Sequence, residues 1–151
     1  MIINIDIRGG SKTWDIEKIQ DLASFALNYA HAPQNSELSV SLVDIDEIHS
    51  LNKEYRGIDR PTDVLSFECD SIDEELPEDE TLTLGDIIIA CDIVDSQREQ
   101  FGTSFDEEMS LMLVHGCLHV LGYDHIEEDE AEIMEGLEKE ILEAYGICGV
   151  R

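Results

Sequence analysis

The sequence predicts an α+β fold in one domain, residues 1–151. It reads as a mixed sheet of about four strands covered by about five helices, with its candidate site at the C-terminal end of a buried helix. Three observations predict it. Four short segments carry strand patterning, five longer ones repeat apolar residues at helical spacing, and no internal repeat or linker divides the chain.

Ile2 to Arg8 alternates apolar and polar residues and reads as a strand. Trp14 to Tyr29 is an amphipathic helix whose stripe is Ile16, Ile19, Leu22, Ala23, Ala26 and Leu27. Leu38 to Val43 is a second strand. Asp44 caps a helix running to Tyr55, and Glu47 completes a capping box. Pro61 opens an alternating strand over Thr62 to Phe67, and the acidic stretch from Glu68 to Glu80 reads as a loop. Leu84 to Cys91 is apolar on both faces, which suits a central strand. Asp92 starts a helix that ends near Gly102. Ser104 and Glu107 form a second capping box, opening a helix to Leu121 that is apolar enough to be mostly buried. Gly122 permits the left-handed turn that stops it. A last helix runs from Glu127 to Tyr145 and stops at Gly146.

A chain of 151 residues with 42% hydrophobic content can bury about two-thirds of its unfolded surface. No apolar run approaches the roughly 18 residues that span a bilayer. The start, Met1 to Ile7, lacks the basic residues of a signal peptide. Cys69, Cys91, Cys117 and Cys148 are scattered, with no CxxC pair. The expectation is a cytoplasmic protein with free thiols and no membrane association. The net charge of −27 opposes nucleic acid. Much of it falls in two blocks, Glu68 to Glu80 and Glu127 to Glu143, which read as solvated faces rather than as a docking surface for a basic partner.

Three of the five histidines lie in the run from His115 to His125. His115 and His119 are four apart on the buried helix and so share a face. The turn at Gly122 can bring His125 back toward them. Three imidazoles with one open position is the catalytic zinc arrangement, whereas structural zinc usually takes four protein ligands. Cys117 sits two residues from each helical histidine and points away from their face. Asp124 fits a partner that orients a ligand imidazole. His31 and His49 lie in ordinary contexts and read as structural or surface residues. The spacing H-x3-H-x2-G-x2-H matches the long zinc motif of metzincin peptidases, except that Gly116 stands where those enzymes carry the glutamate base. Glycine cannot take a proton from bound water, so peptidase chemistry is disfavoured. Copper, nickel and cobalt also suit imidazole, so sequence leaves the native metal open.

Lys53, Arg56 and Arg60 concentrate three of only nine basic residues in one short stretch. Guanidinium groups suit phosphate, and pairing with Glu54 and Asp59 is the plain alternative. The pattern HGxLHxxGxDH from His115 follows LNxxYRxxDxPTDVLSF over Leu51 to Phe67 and LGDI over Leu84 to Ile87. In that order these resemble the YbeY family of bacterial rRNA maturation factors, across nearly the whole chain. Glu68 departs from the pattern, standing where a proline is expected after Ser66-Phe67.

The resemblance implies a zinc-dependent, single-strand-specific endoribonuclease of small-subunit rRNA 3′-end maturation and ribosome quality control. It implies His115, His119 and His125 as ligands of one zinc ion and Arg56 as the catalytic arginine. Its implied partners are single-stranded RNA or rRNA, the small ribosomal subunit with one of its proteins, and a ribosome-associated GTPase. Asp63, Ser66 and Asp86 are motif residues that either line the cleft or satisfy backbone groups in turns. Water and the RNA 2′-hydroxyl both remain as nucleophiles. The competing readings are a non-enzymatic ribosome assembly factor with a structural metal, and a metal-dependent hydrolase of another substrate class.

Overall fold

The computed structural model describes residues 1–69, 80–123 and 127–147. Asp124, His125, Cys148 and most of the acidic loop lie outside the described residues. The elements run β1 (Ile2–Ile7), α1 (Ile16–Tyr29), β2 (Ser36–Val43), α2 (Ile45–Arg56), β3 (Val64–Glu68), β4 (Leu82–Ala90), α3 (Cys91–Phe101), α4 (Phe105–Val120) and α5 (Glu128–Tyr145). All nine expected elements are present, with ends displaced by one or two residues, the usual uncertainty of frayed termini.

The sheet order is β1-β2-β4-β3. β1, β2 and β4 are parallel, and β3 is an antiparallel edge strand. Parallel neighbours need a crossover, and α1 supplies the one between β1 and β2. The expected central strand is β4, lying between β2 and β3. Leu82, Leu84, Ile87 and Ile89 point into the main core, while Ile88 and Ala90 join Val43, Ile48 and Leu65 in a second cluster under α2.

Strict alternation would put Leu84 and Ile87 on opposite faces. They share one because the β2 register slips there, Glu37 facing Thr83 and Leu38 facing Gly85. The extra residue is a β-bulge, which resets the alternation. Gly85 takes φ +150°, and a Cβ on it would lie 2.0 Å from the Phe67 carbonyl oxygen.

Helix α4 is buried almost along its whole length. Its capping box forms in both halves, Glu107 N donating to Ser104 Oγ and Ser104 N to the Glu107 carboxylate. The box expected on α2 forms only by half. Glu47 N donates to Asp44 Oδ1 at 2.8 Å, but the Glu47 carboxylate accepts from Arg8 Nη2 at 2.5 Å instead. A cation brought by β1 outcompetes the backbone amide for that carboxylate. Trp14 and Lys18 of the α1 region both bond Asp106 at the start of α4. Burial would push that carboxyl up, but these partners hold it below the usual range.

Gly116 brings α4 close to β4. A Cβ there would lie 2.7 Å from Ile87 Cγ2. That face of the helix has no room for a side chain, so the position where peptidases carry their base is filled here by the sheet. Among the described residues no helix is long and apolar enough to cross a membrane.

Candidate functional site

The last two turns of α4 present His115 and His119 on one face, half-buried between core and solvent. Their rings meet edge to face at 4.5 Å, and their Nε2 atoms are 3.0 Å apart. His119 Nδ1 lies 3.0 Å from the Tyr123 carbonyl oxygen. A carbonyl only accepts, so that nitrogen carries the proton. His115 Nδ1 lies 2.5 Å from Glu138 Oε1, and donation to a carboxylate fixes the same tautomer. Both Nε2 lone pairs therefore face one point.

A proton shared between them or a bound metal cation relieves the repulsion of two such lone pairs. Two imidazole nitrogens on a tetrahedral zinc stand about 3.3 Å apart at ordinary bond lengths. The donor set thus fits a transition-metal ion. Among the described residues no group of three His, Cys, Asp or Glu is gathered, and His125 lies outside them.

Glu138 was not legible as a site residue. It falls in an acidic run that reads as solvated, yet it is only 7% exposed and holds His115. The missed signal is its phase on α5. Met134, Glu138, Ile141 and Leu142 share one buried stripe, and a carboxylate in an apolar stripe needs a partner.

Cys117 faces the core, as its spacing implies. Burial pushes its thiol up to about 12, so it supplies no thiolate at neutral pH. His49 pairs with Asp59 at 2.8 Å on the surface, and His31 is exposed at the end of α1 with φ 63°.

Strand β3 forms the wall beside the histidines. Its inward residues alternate: Val64 packs on the main core, while Glu68 Oε1 comes 3.9 Å from where a Cβ on Gly122 would stand. Ser66 lies between them, opposite the Ile87 that contacts Gly116. Val64 and Asp63 line a cavity of about 690 Å³ with His115 and Glu138, bounded by the end of α3 and by α5. Asp63 also fixes the start of β3. Its Oδ1 accepts from Val64 N at 2.8 Å, and its carbonyl accepts from Ala90 N at 2.9 Å.

Arg56, at the end of α2, reaches around the open edge of β3 and donates Nη2 to the Ser66 carbonyl at 2.6 Å. Its guanidinium lies 5.2 Å from the centre of the Phe67 ring. One of five N–H donors is committed, and the residue is exposed. Asp86 is placed otherwise. It pairs with Phe67 across the sheet, so it faces the α2 side, away from the histidines.

Comparison with known proteins identifies the family. The family described as Endoribonuclease YbeY matches residues 5–146. An endoribonuclease YbeY of Pediococcus pentosaceus is 45% identical over 139 residues, covering 88% of this chain and 89% of that one. That of Bacillus subtilis is 39% identical over 151 residues, covering 95% and 94%. A solution structure of a Thermotoga maritima protein superposes with a TM-score of 0.61 at 28% identity, covering 95% of this chain and 91% of that one.

Proposed function

The chain belongs to the endoribonuclease YbeY family and is an endoribonuclease, a hydrolase of RNA phosphodiester bonds; from that premise we propose that it is zinc-dependent and cuts single-stranded stretches of rRNA. The observation that carries the proposal is the imidazole pair. Its Nδ1 hydrogens are spent on fixed oxygen acceptors, and its Nε2 lone pairs converge at 3.0 Å. His115 and His119 would hold the ion, with His125 as third ligand on the strength of the family motif. Zinc held there would lower the pKa of a bound water to about 7 and polarise a phosphoryl oxygen. Arg56 orients the scissile phosphate and neutralises charge as it develops there. Its tie to the Ser66 carbonyl sets the reach of the guanidinium before RNA arrives. Val64 and Ser66 line the approach from the strand side. RRNA 3′-end maturation and quality control on the small ribosomal subunit, with one of its proteins and a ribosome-associated GTPase as partners in the cytoplasm, complete the proposal.

The test incubates zinc-loaded protein, chelator-stripped protein and His119→Ala with end-labelled single-stranded and duplex RNA. Cleavage of the single strand by the zinc-loaded native protein alone is expected. Equal cleavage by the stripped protein would overturn the metal's role. A 2′,3′-cyclic phosphate at the product end would assign the attack to the RNA 2′-hydroxyl.

Glu138→Gln should weaken zinc retention by about 10- to 100-fold, the usual cost of losing an outer partner of a ligand histidine. Competition against a chromogenic chelator measures this. Retention equal to the native protein's would show that the carboxylate only fills space.

A further inference from the structure

On the α2 side of β3 lies an aromatic cluster that the histidine site does not use. Tyr55 is 61% exposed, the second largest exposure among the large hydrophobic side chains described. Its ring meets Phe67 edge-on, centroids 5.4 Å apart at 67°. Phe67 is anchored in β3 opposite Asp86, packs on the second core cluster and carries the Arg56 guanidinium at 5.2 Å. Tyr55 is therefore braced from behind by a ring that cannot move far, and the rest of it faces water.

Proteins read single-stranded RNA by stacking splayed bases on such rings while a neighbouring cation takes the phosphate. Duplex bases are already stacked and cannot use it. Charge favours the same occupant. Lys53 pairs with Asp59 at 3.9 Å, so the cation beside the rings is Arg56, in a chain of net charge −27. Arg56 is held at the edge of β3 by the Ser66 carbonyl, beside the same ring.

We propose that Tyr55, braced by the Phe67 ring on which Arg56 also lies, is a stacking subsite for one unpaired nucleobase adjacent to the phosphate that Arg56 holds. This rests on the RNA-cleavage reading and names the subsite that makes it single-strand-specific.

The experiment compares KM and kcat of zinc-loaded native protein, Tyr55→Phe and Tyr55→Leu on a short labelled RNA. Each is also assayed on the same RNA carrying one abasic nucleotide beside the cleaved bond, placed in turn on either side. Stacking on an aromatic ring contributes about 1–3 kcal/mol per base, so Tyr55→Leu should raise KM roughly 5- to 150-fold with kcat little changed. Tyr55→Phe should match the native protein. At one of the two abasic positions the native protein should lose the same factor, and Tyr55→Leu should lose nothing more. A native KM in Tyr55→Leu, or an equal further loss on both abasic substrates, overturns the subsite while leaving the activity intact. No binding or cleavage of RNA by the native protein overturns both. Thermal melts of the variants exclude misfolding as the cause.

Discussion

Gly85→Ala is expected to destabilise the fold by about 4 kcal/mol or more, an exceptional cost for one methyl group. Two independent penalties add at this residue. At φ +150° the backbone occupies a region open essentially to glycine alone, which costs other residues about 1–3 kcal/mol. The added Cβ would also stand 2.0 Å from the Phe67 carbonyl oxygen, closer than any real contact. Relief requires β3 to leave β4 or the bulge to dissolve. Dissolving the bulge would turn Leu84 or Ile87 out of the core, because the bulge is what lets both point inward. Denaturant melts check the cost, with Gly136→Ala as control. Gly136 lies in α5 with nothing within 4 Å of an added Cβ, so alanine there should be neutral or stabilise by about 0.5–1 kcal/mol. Equal melts for the two variants would refute the bulge argument.

The same bulge marks the limit of what the sequence discloses. The elements were legible because each rests on local physics: alternation for strands, a 3.6-residue period for helices, and Ser104-x-x-Glu107 for a cap. The histidine pair was legible for the same reason, since i and i+4 on one helix meet whatever surrounds them. Long-range partners are not written locally. Glu47 read as half of a capping box until β1 brought Arg8 against it. Glu138 read as one acid among many, and only the approach of α5 to α4 makes it the acceptor for His115. Asp86 shares a motif with Gly85, yet the parity reset at the bulge turns it from the histidine face. Gly116 was read by what it cannot do chemically. The structure adds why no larger residue fits, since Ile87 occupies the space.

Arg56→Glu is expected to lower RNA cleavage by at least about 10³-fold while zinc stoichiometry stays at the native value. Removing one donor that stabilises developing charge costs about 10²–10³ in kcat, and reversing the charge adds repulsion of the phosphate. The repulsion should be severe here. A chain of net charge −27 repels RNA; Lys53 is paired with Asp59, and Arg56 is the cation tied to β3. Zinc should stay because nothing in the described contacts of His115 and His119 passes through Arg56. Arg56→Lys separates charge from shape. A lysine keeps the cation but cannot both hold the Ser66 carbonyl and present a planar fork, so it should recover only part of the rate. Its residual activity should also fall more steeply with salt, because an unanchored point charge is more exposed to screening. Metal analysis decides between the two meanings of an inactive Arg56→Glu. Full zinc occupancy places the defect at the phosphate. Loss of zinc would mean that the Arg56–Ser66 tie holds β3 against α4, and that the arginine acts by keeping the wall of the site in place.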